Sequence, residues 1–210
     1  MVSLVVWFSL LTASVVISFT PGAGAINTMS NALNQGWKRS IWGIIGQQIA
    51  LIVHVAIVAA GVGLLVSRSE FLFNTIRYAG AAYLVFLGIR LILTKPAGTL
   101  DDAPVPVDSH ESHWSMIRRG FWVNLLNPKA IVFFLAFIPQ FIRLDEPPVP
   151  QYLTLVATVI VVDVIVMWGF FAAAARPFRR LTRSVRGQRI LNLVFGVLFI
   201  AVAGVLVLLH

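Results

Sequence analysis

The chain has 210 residues, of which 59% are hydrophobic and only 11% charged, with a mean hydropathy of +0.89 and a formal net charge of +8. That balance excludes an ordinary soluble domain and describes a chain whose main solvent is lipid. It has no cysteine, which excludes disulfides, thiolate metal sites and cysteine nucleophiles.

Apolar runs lie at Leu4–Thr20, Ile41–Val66, Tyr78–Leu93, Phe121–Ile142, Tyr152–Ala175 and Ile190–Leu209. Each approaches the ~20 residues that cross a bilayer as a helix. The sequence therefore predicts an all-α integral membrane protein with six transmembrane helices, in a single domain covering residues 1–210.

The first run ends in SFTPGAGAINTM, Ser18 to Met29. Far more chain lies between Leu4 and the basic pair Lys38–Arg39 than one span needs, so a break at Pro21–Gly22 divides it into two helical pieces. A signal peptide does not fit, because no positive region precedes the run and five further spans follow. A break inside the membrane frees backbone groups and is tolerated only where protein or a water-filled cavity surrounds it. Freed carbonyls there suit an ammonium and helix N-termini suit a carboxylate, the two groups of an amino acid.

In the second span Gly43, Gln47, Ala50 and His54 recur at helical spacing, a small or polar face that must point away from lipid; Gln48 lies off that stripe. His54 fits a quiet, hydrogen-bonded imidazole and a proton relay equally well. In the third, Gly80, Ala81 and Gly88 suit close packing within a monomer or between subunits of a homo-oligomer. Residues 94–119, rich in Pro, Asp and Ser near their start, read as a flexible cytoplasmic loop joining two halves.

The fourth span carries Asn124, Asn127 and Pro128, so the first span of each half is polar and proline-interrupted. Two halves of three spans each would be inverted relative to one another, a 3+3 arrangement seen in many transporters. Lys129 follows this break; it fits either a contact for a substrate carboxylate or a side chain snorkelling to headgroups. Asp163 stands near the middle of the fifth span, where a charge costs about 2.5 to 3.5 kcal/mol on insertion scales. It reads as a proton carrier or a contact for a substrate ammonium, against an interhelical salt bridge or hydrogen bond that holds the bundle together.

Eleven lysines and arginines fall in the loops after spans one, three and five, against three in the other loops. The excess places the odd-numbered loops in the cytoplasm and both termini outside. Trp37, Trp42, Trp114 and Trp122 flank the basic loops as interfacial anchors, and Arg176 to Arg189 reads as a topology determinant against anionic lipid, not a nucleic-acid site.

The segments PGAGAINTM at 21–29, GAAYLVFLGIR at 80–90 and GFWVNLLNPKAIVFFLAFIPQFI at 120–142 resemble the signatures of the LysE-type amino-acid exporter superfamily. AINTM, His54, SRS at 67–69 and VVDVIVMWGF at 161–170 are most similar to its homoserine and homoserine-lactone efflux branch. Where many members read PGP, this chain has Pro21-Gly22-Ala23. The resemblance implies export of small amino acids such as homoserine, its lactone or threonine from the bacterial cytoplasm by proton antiport, with the proton gradient as energy source and no cofactor. It supports Pro21, Gly22, Gly24, Asn27, Asn124, Asn127, Pro128, Lys129 and Asp163 as site residues; Gln47 and His54 join them from the stripe. Partners are then the amino acid and membrane lipid. An intramembrane enzyme using Asp163 and His54 lacks a nucleophile or metal cluster. A channel or importer is the closer rival, since the residues themselves do not fix direction.

Overall fold

The computed structural model describes residues 4–20, 22–66, 70–95, 111–143, 145–177 and 184–208. Most of these residues are helical, and no strand occurs among them. In order they form α1 (Leu4–Phe19), α2 (Ala23–Gln35), α3 (Ile41–Val66), α4 (Glu70–Leu93), α5 (His113–Leu125), α6 (Pro128–Phe137), α7 (Pro148–Val164) and α8 (Val185–Leu208). A 3-10 turn, Ile138–Phe141, extends α6, and a π-helical stretch, Ile165–Ala172, extends α7.

Among the described residues, three segments are long and apolar enough to cross a membrane: Ile41–Gly61, Pro148–Ala172 and Val185–Gly204. A fourth forms if α1 and α2 are one span bent by 57°. Tyr78–Leu93 is apolar but shorter. Burial is inverted relative to a soluble protein. On α3, Gln47, Gln48 and His54 are buried while Ile45, Ile49 and Ile52 face outward; on α8, Leu193, Val194 and Val197 face outward too. Polar inside and apolar outside is stable only where the surroundings are hydrocarbon. The chain is a membrane protein.

Two helix pairs dominate the packing, α3 with α5 and α4 with α8. Glycines permit both. A Cβ on Gly46 would lie 1.9 Å from the carbonyl oxygen of Ile117, and one on Gly120 would lie 2.0 Å from that of Gly43, so the α3 and α5 backbones are in direct contact. Gly88 and Gly196 do the same for α4 and α8, each facing the other's carbonyl at 2.6 Å. The small residues Gly80, Ala81 and Gly88 are thus buried within the chain. Small residues supply close van der Waals packing where lipid removes the hydrophobic drive between helices.

Both sequence-predicted breaks are present. α1 ends at Phe19 and α2 starts at Ala23; α5 ends at Leu125 and α6 starts at Pro128. The second has a visible cause: Asn127 caps α6, its Oδ1 accepting from the Lys129 amide at 3.1 Å, and Pro128 occupies the first helical position, where a missing N–H costs nothing. The 94–119 loop is shorter than expected at its far end, because Ser112 caps a helix that begins at His113. Residues 96–110 of that loop, SRS at 67–69 and the middle of the basic run at 178–183 lie outside the described residues.

Candidate functional site

The breaks converge on one cavity of about 50 Å³. Its polar lining comes from Ser18, Gln47, Asn124, Asn127, Lys129 and Asp163, and its apolar wall from Leu51, Phe133, Phe134, Val159 and Met167. Seven of the predicted site residues are therefore accounted for near one another: Gly24, Gln47, Asn124, Asn127, Lys129 and Asp163 line the cavity, and Gly22 lies beside it, a Cβ there meeting the Lys129 Cε at 3.3 Å. Pro21 lies outside the described residues.

Lys129 is turned inward. Its Nζ donates to the carbonyl oxygens of Thr20 at 2.6 Å and of Ile17 at 3.0 Å, at the C-terminal end of α1. The snorkelling alternative is thereby corrected: a partner inside the bundle, at the negative end of a helix, holds the ammonium away from headgroups. The same contact corrects the expectation that those freed carbonyls await a substrate ammonium.

Asp163 sits where α7 passes into its π-helical extension. Ser18 Oγ donates to Oδ1 at 3.1 Å and Gln48 Nε2 to Oδ2 at 2.7 Å. Among the described residues no direct ion pair joins it to Lys129, although both face the cavity. Asp163 therefore makes the interhelical hydrogen bonds of the structural alternative, from α7 to α1 and α3, with neutral donors in place of a salt bridge. The Gln48 amide can serve both charge states: Nε2 donates to a carboxylate, and Oε1, buried without a partner, accepts from a carboxylic acid if the amide turns over.

Gln47 points the other way around α3, donating to the Gly24 carbonyl and to Thr28 Oγ1, both at 3.1 Å, while the Asn124 amide donates to the Gln47 carbonyl at 3.0 Å. Gly24 packs closely on this amide: a Cβ there would lie 3.1 Å from Gln47 Oε1, which would have to shift by a few tenths of an ångström. The N-terminus of α2 has no side-chain cap, so its first N–H groups are available to an anion.

His54, Asn27 and Pro128 are placed elsewhere. His54 Nε2 donates to the Leu125 carbonyl at 3.2 Å, closing the broken end of α5, and its ring stacks on Phe134 at 5.4 Å. Pro128 is exposed. Asn27 is buried and accepts from Arg119 Nε at 3.2 Å; Arg119 Nη2 also bonds Asn31 Oδ1 and the Glu111 carboxylate.

Four residues were missed from the sequence. Ser18, Thr20 and Gln48 carried no charge to draw attention, and Arg119 counted only as a loop cation. The one available signal for Gln48 was a second amide beside Gln47, which no lipid-facing helix surface would accept.

A chain with apolar helices turned to lipid, two helix breaks and a polar cavity between them has the makings of a membrane transporter. Residues 15–210 match the model of the LysE type translocator family, and the chain belongs to that family. It is a translocator and not an enzyme, and works without a cofactor. It is 40% identical over 200 residues, 95% of each chain, to the homoserine/homoserine lactone efflux protein of Salmonella typhimurium, with the same figures for that of Salmonella typhi. It is also 41% identical over 197 residues, 92% of each chain, to an uncharacterized membrane protein of Vibrio cholerae. No solved structure matches it significantly.

Proposed function

We propose that this protein exports small neutral amino acids and their derivatives, homoserine, homoserine lactone and threonine among them, across the bacterial cytoplasmic membrane by proton antiport. The observation that carries the reading is one cavity holding an acid, a base and two helix breaks, in a chain aligned end to end with relatives named for homoserine efflux. The free N–H groups of α2 and the α6 N-terminus suit the substrate carboxylate, Asn124 and Asn127 add neutral hydrogen bonds, and Asp163 takes either the ammonium or a proton. A proton arriving from outside neutralises Asp163 and favours release of the amino acid there.

Six spans, odd loops in the cytoplasm and both termini outside complete the reading. The contact pattern supports the inverted repeat. If the first span corresponds to the fourth and the second to the fifth, α1 on α7 corresponds to α5 on α3; with the third matched to the sixth, α4 on α8 corresponds to itself. A 50 Å³ space is far below the ~300 Å³ of the smallest ordinary ligand pockets, which suits a closed state that must open to either side by movement of one half against the other.

The test is efflux of labelled homoserine and threonine from preloaded proteoliposomes, with and without an imposed proton gradient. The reading expects gradient-stimulated movement of unchanged solute, lost in Asp163→Asn protein that still inserts. Movement indifferent to the gradient would make it a channel or facilitator, and coupled export by the Asp163→Asn variant would remove the acid from the mechanism.

A further inference from the structure

Every amino acid shares the same ammonium and carboxylate, so what separates one substrate class from another is the side chain. The cavity meets that side chain with one carboxylate, Asp163, and one ammonium, Lys129, and no other charged residue lines it among the described residues. Around the acid lie further oxygens that favour a cation: the carbonyls of Ile17 and Thr20 at the negative end of α1. The two carbonyls form a cation seat beside the acid, and the chain supplies its own occupant. The Lys129 side chain passes Gly22, where a Cβ would lie 3.3 Å from its Cε, and delivers Nζ onto both carbonyls. Asp163 lines the same cavity.

We propose that Lys129 is a specificity-determining residue: its ammonium fills the cation seat of the cavity, so that neutral amino acids are accepted and those with a cationic side chain are turned away. A side-chain ammonium, added to the α-ammonium that faces Asp163, would find the α1 carbonyls taken and a like charge nearby, in surroundings that screen it less than water does. A hydroxyl in the same place carries no such cost. With the lysine charge removed, the two carbonyls are left without their cation, in a cavity whose remaining charge is a carboxylate, and attract one from the substrate. This inference rests on the amino-acid export proposed above and deepens it.

The test uses two solutes of equal shape and different charge, homoserine and 2,4-diaminobutyrate, whose side chains end in a hydroxyl and an ammonium. Efflux of each is measured from proteoliposomes of the intact wild type, Lys129→Gln and Lys129→Arg. The wild type and Lys129→Arg should move homoserine and discriminate against diaminobutyrate. Lys129→Gln should raise the diaminobutyrate-to-homoserine ratio at least ~tenfold, as loss of one poorly screened charge contact predicts. If Lys129→Gln does not yield folded protein, Lys129→Met, which keeps the buried stem, takes its place. A wild type that moves both solutes equally overturns the charge filter while leaving export intact. So does a folded neutral variant with an unchanged ratio. A wild type that moves neither solute overturns the export reading and this inference with it.

Discussion

The ammonium of Lys129, one residue into α6, lies 2.6 Å from the carbonyl oxygen of Thr20 at the end of α1. A side chain from the second helix break therefore closes the first, and the two broken spans are one structural unit. Hydrogen bonds from a charged donor contribute about 1.5–3 kcal/mol, and acceptors left buried without a partner cost a comparable amount. Lys129→Met is expected to destabilise the detergent-solubilised protein by about 2–3 kcal/mol, with Lys129→Arg closer to wild type. Thermal unfolding read by circular dichroism checks the order; equal midpoints for all three would mean that the contact does not hold the break.

The seam between α3 and α5 is set by backbone contact, and glycine is the only residue that permits it. Gly46→Ala places a methyl group 1.9 Å from the Ile117 carbonyl, and Gly120→Ala one 2.0 Å from that of Gly43. Since those neighbours are backbone, the helices must separate, at a cost of about 3 kcal/mol or more. Gly204→Ala is the control, because nothing lies within 4 Å of its added methyl, and removing a helical glycine should be neutral or stabilising by up to about 1 kcal/mol. Yield of monodisperse protein and its melting point separate the two classes.

The parts of this arrangement that could be read from the sequence are those with a local cause. Pro21–Gly22 and Asn127–Pro128 interrupt helices through their own backbone chemistry, and Asp163 is conspicuous as a charge in an apolar run. The direction of a long side chain is not local. Lys129 could run toward headgroups or into the bundle, and only the position of the α1 carbonyls decides it. Arg119 looked like one more loop cation until α2 brought Asn27 and Asn31 within reach. Gln48 fell off the stripe defined by Gly43, Gln47, Ala50 and His54 because α3 is enclosed on two sides, so its buried face is wider than one stripe. The π-helical stretch after Asp163, IVMWGFFA, is an ordinary apolar run with nothing in it to announce a change of hydrogen-bond register.

His54 has a role that can be separated from proton relay. A carbonyl only accepts, so Nε2 bears the proton in the bond to Leu125 O, and Nδ1 is buried without a partner. A neutral imidazole that caps the α5 terminus satisfies both facts. His54→Gln keeps a donor for that carbonyl and should retain coupled efflux with an unchanged pH profile. His54→Ala loses the donor and the ring stacked on Phe134 and should lose about 2 kcal/mol of stability. A His54→Gln protein that is stable but uncoupled would instead make the imidazole part of the proton path.

Trp37 and Trp168 form a clasp between the α2–α3 turn and the π-helical stretch. Their rings stack at 4.5 Å with planes 2° apart, and each indole N–H donates to the other's backbone carbonyl, Trp37 to Trp168 at 3.0 Å and Trp168 to Trp37 at 3.2 Å. Because α2 follows the first break and the π-helical stretch follows Asp163, the clasp ties the two elements that must part if the cavity opens on this side. An aromatic pair is worth about 0.5–1.5 kcal/mol beyond its burial, and each hydrogen bond contributes about 1 kcal/mol net of its exchange with water. Because both hydrogen bonds end on backbone carbonyls that Ala substitution leaves in place, a double-mutant cycle of Trp37→Ala and Trp168→Ala on thermal stability reads the stacking and should give a coupling of about 0.5–1.5 kcal/mol. If opening on this side limits turnover, each single variant should also raise the efflux rate in proteoliposomes while weakening retention of solute in the absence of a gradient. A coupling near zero would reduce the pair to two independent interfacial anchors, and a rate that falls in both variants would mean that the clasp supports the open state and not the closed one.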